Sequence, residues 1–74
     1  MRVFEDDGGN AWDVVVGRES YGTVVAMFFP KSGSELPRQA LLDVKSTDEG
    51  TRMLRDLSME ALRALLRDSV QRET

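Results

Sequence analysis

Three apolar runs constrain this chain more than any motif: Ala11 to Gly17 (AWDVVVG), Gly22 to Phe29 (GTVVAMFF) and Gln39 to Val44 (QALLDV). Each is rich in residues that suit a pleated surface, and each is bounded by turn formers, which predicts strands. Two short helical segments near the C-terminal end are all that remains to pack against them. Strand side chains alternate between the two faces of a sheet, whereas a pair of helices covers only one. Apolar residues on both faces therefore leave oily surface for something else to cover.

The punctuation predicts hairpins. Asp6-Asp7-Gly8-Gly9-Asn10, Gly17-Arg18-Glu19-Ser20 and Pro30-Lys31-Ser32-Gly33-Ser34-Glu35 are turn clusters between the apolar runs. The reading is a four-stranded antiparallel β-meander over roughly 2–6, 11–17, 21–29 and 36–45. Pro37, lacking an amide hydrogen, suggests that the last strand begins at a sheet edge.

Register follows from where the turns are centred. Placing the second turn on Arg18-Glu19 sets Trp12 opposite Val25 and Val14 opposite Thr23; placing the third on Ser32-Gly33 sets Val25 opposite Ala40. Trp12, Val14, Val16, Val25, Met27, Ala40, Leu42 and Val44 then share one face. Val15, Val24, Ala26, Phe28 and Leu41 share the other, diluted by Asp13, Gln39 and Asp43. A slip of one residue would exchange the faces. Either Val3 or Phe4 points to the core, depending on how the Gly8-Gly9 turn folds.

From Ser46 the period changes. Ser46-Thr47-Asp48-Glu49 reads as a capping box that opens a short helix, which Gly50 weakens by up to about 1 kcal/mol relative to alanine. A second helix starts at Ser58, with Leu57 and Leu62 placed as a hydrophobic staple. Its stripe is Met59, Leu62, Leu65, Leu66, Ser69 and Val70. Glu60 with Arg63, and Asp68 with Arg72, are spaced for ion pairs on the opposite side. The expected architecture is one small α+β domain over 1–74, a four-stranded antiparallel β-meander followed by two short C-terminal α-helices packed on one sheet face.

Composition removes several function classes. A chain of 74 residues allows one domain, and with no cysteine it has neither a disulfide framework nor a thiolate metal site. The N-terminal end is acidic, without the apolar stretch of a secretory leader. The longest apolar run, Val24 to Phe29, falls far short of the ~20 residues of a membrane helix. A cytoplasmic protein is expected. Eight arginines against two lysines, with no isoleucine, suggest a GC-rich bacterial genome. The net charge of −3 is concentrated in the first 50 residues, where nine acids face five bases; such a surface repels phosphate backbones.

No constellation carries chemistry. Arg18-Glu19-Ser20-Tyr21-Gly22 approaches the Gly-x-Ser-x-Gly elbow, but the chain has no histidine, the first glycine is missing, and a strand follows; a hairpin turn is the better reading. Glu5, Asp6 and Asp7 lack the alternating ligand spacing of a calcium loop. Arg52, Arg55, Arg63 and Arg67 could meet phosphates, yet Asp56, Glu60 and Asp68 interleave with them, as on a solvated, ion-paired helix surface. Trp12, Met27 and Phe29 could line a ligand pocket, although a core this small favours plain packing. Asp13 and Asp43 fall on non-adjacent strands, about 10 Å apart, too far to share a proton.

The functional expectation is a small non-enzymatic protein-interaction or regulatory module without cofactor, metal or small-molecule ligand. Its partner-binding residues would be Val15, Val24, Ala26, Phe28 and Leu41, buried against a second copy, making a homodimer, or against a protein partner. Edge-strand pairing is the alternative, and nucleic-acid binding by the helix arginines a remote third.

Overall fold

The computed structural model describes residues 2–19, 21–31 and 36–71. It is an α+β fold built on one antiparallel sheet. Strands β1 (Arg2–Glu5), β2 (Ala11–Arg18), β3 (Val24–Pro30) and β4 (Arg38–Leu41) form the expected meander, and helices α1 (Thr47–Asp56) and α2 (Met59–Arg67) follow. A short fifth strand, β5 (Val70–Gln71), then pairs with β4, so the strand order is β1-β2-β3-β4-β5. No helix among the described residues is long and apolar enough to cross a membrane.

The first hairpin is organised by Asp6. Its Oδ1 accepts the backbone N–H of Gly8 and of Asn10, both at 2.9 Å, while Asp6 N–H donates to the Asn10 carbonyl at 2.9 Å. Trp12 Nε1–H donates to Asp6 Oδ2 at 3.0 Å, which satisfies the one polar atom of a buried indole. Burial raises the Asp6 pKa, but the bonds from Trp12 and from the Asn10 and Gly8 amides outweigh it, and the carboxyl titrates below its ordinary value. Gly9, with φ +83°, takes the left-handed position of the turn.

The second turn lies further along than the sequence suggests. Glu19 N–H donates to the Thr23 carbonyl and Gly22, at φ +83°, closes the turn, so Tyr21 is at its exposed tip and β3 begins only at Val24. Val14 therefore pairs with Phe28 rather than Thr23, and Val16 with Ala26. The third hairpin is displaced by a single residue, with Val25 opposite Leu41 rather than Ala40. Both displacements are odd, so β3 alone is turned over while β2 and β4 keep their expected faces. Val24, Ala26 and Phe28 point inward, and Val25 and Met27 point outward.

The core follows from that phase. Phe4, Trp12, Val14, Val24, Ala26, Phe28 and Leu42 from the sheet side meet Leu54 of α1 and Leu62 and Leu66 of α2. Phe4 is the residue of β1 that enters it, touching Phe28 edge-on with ring centroids 6.0 Å apart. Its pairing with β2 lies within the chain.

Both helices start at their predicted caps, Ser46 accepting from Glu49 N–H and Ser58 from Ala61 N–H, each at 3.1 Å. Gly50 is more than a weak helix residue. A Cβ there would lie 3.2 Å from Val24, 3.3 Å from Val16 and 3.4 Å from Leu42, so its bareness lets α1 settle on β2 and β3.

Arginines tie the helix ends to the sheet. Arg2 of β1 donates from Nη1 to the carbonyls of Leu54 (2.8 Å), Arg55 (3.1 Å) and Leu57, closing the C-terminus of α1. Arg38 of β4 donates from Nε to Ser69 Oγ at 2.8 Å and from Nη2 to the Ser69 carbonyl, while Ser69 Oγ–H donates to the Leu66 carbonyl. This clamp ends α2 at Arg67, three residues before the expected stripe runs out at Val70. Val70 leaves the helix and pairs with Gln39. Consequently β4 is flanked on both sides, and Pro37 precedes it without marking the edge of the sheet.

Candidate functional site

The face of the sheet without helices is the candidate site, and its composition can be built row by row from the register. Val3, Asp13 and Phe29 form one row across β1, β2 and β3. Val15, Met27, Gln39 and Val70 form the next across β2 to β5. Gly17, Val25 and Leu41 form the third. Seven of these ten side-chain positions are apolar, and Gly17 adds none of its own. Leu41 is 72% exposed, Val70 61%, Val3 50% and Phe29 37%.

Local packing makes the middle of this face firm. Met27 lays its sulfur over Gly17, in the space a larger side chain would need. Val25, between Gly17 and Leu41, is buried although it lies outside the cluster under the helices. The centre is thus packed, and the more accessible apolar groups surround it.

Asp13 is the polar exception. Its Oδ2 lies 3.7 Å from Lys31 Nζ, but Oδ1 is buried with no hydrogen-bond partner among the described residues. An unpaired buried acceptor costs about 1–3 kcal/mol, and a donor arriving on this face would recover part of it.

Of the five residues expected to bind a partner, Val15 and Leu41 lie on this face and Val24, Ala26 and Phe28 do not. Those three are 0–1% exposed in the core beneath the helices. The physical reason is the inverted phase of β3, where Val24 to Phe29 is apolar at every position and gives no alternation from which to read a face. Val25, Met27 and Phe29 take their places. Val70 came to the face through β5, for which the helical periodicity left no signal.

The other candidates are dispersed or occupied. Trp12 points into the core while Met27 and Phe29 point away, so the three line no common pocket. Asp13 sits mid-sheet, whereas Asp43 lies beyond the end of β4. Within Arg18 to Gly22, Ser20 falls outside the described residues, and Glu19 and Gly22 form the turn. Asp7 pairs with Arg67 at 2.6 Å, and Arg63 donates to the Glu5 carbonyl at 2.7 Å rather than pairing with Glu60. Arg55 lies 3.8 Å from Asp56. Arg72, the expected partner of Asp68, is outside the described residues.

The sequence matches no protein family, no curated protein and no solved structure.

Proposed function

We propose that this protein is a small non-enzymatic interaction module whose helix-free sheet face packs against the same face of a second copy. One observation carries the reading: Val3, Phe29, Leu41 and Val70 stand exposed around a firm apolar centre on a face that has no covering layer among the described residues. Antiparallel sheets commonly leave one face to water, but that face is then polar, and this one is not. Charge favours a like partner over an unlike one. The face offers one acid, Asp13, and one base, Lys31, so a two-fold arrangement can set each against its opposite and give Asp13 Oδ1 a donor.

Size sets the strength. The five strands hold 4, 8, 7, 4 and 2 residues, and at about 4.8 Å by 3.4 Å per residue their face spans about 400 Å². That is a large patch for a small monomer, yet below the ~800 Å² per partner of a standard interface. The dimer should form in the micromolar range or above.

Sedimentation equilibrium from low micromolar to millimolar concentration tests this. The expected result is a reversible shift from monomer to dimer that Leu41→Asp abolishes without loss of folding, since Leu41 contributes little to the core. A wild-type protein that stays monomeric at millimolar concentration overturns the proposal, as does a dimer indifferent to Leu41→Asp and Phe29→Asp.

A further inference from the structure

Met27 stands in the middle row of the helix-free face, with Val15 and Gln39 as its cross-strand neighbours, and is half-buried there. Gly17 lies on β2 two residues beyond Val15, and the Met27 sulfur fills the space that a Cβ on Gly17 would take. The glycine thus seats the thioether against the sheet, with one side of the sulfur closed by β2 and the other toward the open face. A thioether is apolar and suits this place at the apolar centre. The other described methionines lie elsewhere: Met53 packs against the core from α1, and Met59, 43% exposed, opens α2.

Sulfur gives this centre a chemistry that valine or leucine would not. Hydroperoxides oxidise thioethers: a sulfur lone pair attacks one peroxide oxygen, and an S–O bond forms as the O–O bond breaks. With hydrogen peroxide the second oxygen leaves as water, taking the proton of the first. The sulfur gives up two electrons and the peroxide gains them. The product, a sulfoxide, is polar and chiral, and methionine sulfoxide reductases return it to the thioether.

We propose that Met27 is a reversible oxidation site through which hydroperoxides switch off self-association, an inference that rests on the face-to-face dimer proposed above. On the monomer the new oxygen points away from Gly17 and is solvated. In the dimer it falls within the closed apolar centre beside Val15 and Val25, where the Gln39 amide is the one side-chain donor in register with it. Each copy brings its own sulfoxide to that patch, and a buried acceptor short of partners opposes association. The oxidised chain stays folded, because Met27 lies outside the core cluster beneath the helices.

Hydrogen peroxide is the probe. Trypsin places Met27, Met53 and Met59 on separate peptides, 19–31, 53–55 and 56–63, so mass spectrometry reads each sulfoxide. Sedimentation equilibrium then compares treated with untreated protein. In oxidised wild type the dissociation constant of the dimer should rise about tenfold, Trp12 fluorescence should stay that of the folded chain, and methionine sulfoxide reductase should restore association. Met27→Leu should dimerise like untreated wild type and be indifferent to peroxide, although Met53 and Met59 still oxidise. Met27→Gln should weaken the dimer without any oxidant. Several results overturn the switch and leave the dimer standing: Met27 unoxidised when Met59 is oxidised, association unchanged by the Met27 sulfoxide, unfolding on oxidation, or an equal response from Met27→Leu. If untreated wild type and Met27→Leu are both monomeric at millimolar concentration, the dimer itself is refuted and the switch falls with it.

Discussion

Phe28 and Phe29 are neighbours in sequence and opposites in environment, and alanine at each in turn tests the phase of β3. Phe28 is 0% exposed and touches Phe4 in the core. Truncation there removes the transfer energy of a whole ring and leaves a cavity, together about 3–5 kcal/mol. Phe29 is 37% exposed, with Asp13 as its cross-strand neighbour, and its loss should cost roughly 1 kcal/mol. A chain this long has a total stability of about 4–11 kcal/mol, so Phe28→Ala consumes much or all of it. Urea unfolding followed by Trp12 fluorescence provides the assay, because the indole is buried and hydrogen-bonded to Asp6. With a slope of about 1 kcal/mol/M, the Phe28→Ala midpoint should fall by about 3 M and that of Phe29→Ala by about 1 M. Measurements at low micromolar protein keep self-association out of the comparison. Should Phe28→Ala arrive already unfolded, Phe28→Leu against Phe29→Leu preserves the ordering at smaller cost. Equal costs, or a larger loss at Phe29, would refute the inward placement of Phe28 and with it the composition of the exposed face.

Two further outcomes follow from polar contacts. The Asp6 carboxyl titrates lower in the folded chain than in the unfolded one, so its contribution is complete above the unfolded value of about 3.9 and is lost as pH falls through the folded value. Asp6→Asn should therefore be less stable than wild type at neutral pH, with the difference shrinking below about pH 4; a gap constant down to pH 2 in urea titrations would exclude this role. Arg2→Met keeps the apolar stem but removes the donors at the α1 C-terminus, and should cost about 1–2 kcal/mol with hydrogen-exchange protection falling first in the last turn of α1. Uniform loss of protection across the sheet and both helices would mean that Arg2 does not act at that helix end.

Local grammar alone placed the strands of the meander, the caps at Ser46 and Ser58 and the inward Trp12 and Val14, because turn formers and serine hydroxyls act within a few residues. The exposed face was only partly legible: Val15 and Leu41 were assigned to it correctly, whereas Val24, Ala26 and Phe28 were exchanged for Val25, Met27 and Phe29. An unbroken apolar strand offers no contrast between its faces, so the turn at Gly22 and contact with the helices had to choose.

Long-range contacts decided what remained. Val70 continues the apolar spacing of α2, and nothing local distinguishes it from another helical residue. It became a strand because Arg38 holds Ser69 across 31 residues of chain and the edge of β4 supplies backbone partners. Likewise Arg2 gives no local sign that it closes a helix 52 residues away. Periodicity and caps are properties of a chain segment, whereas which edge is covered and which face stays open depends on groups that meet only after the whole chain has folded.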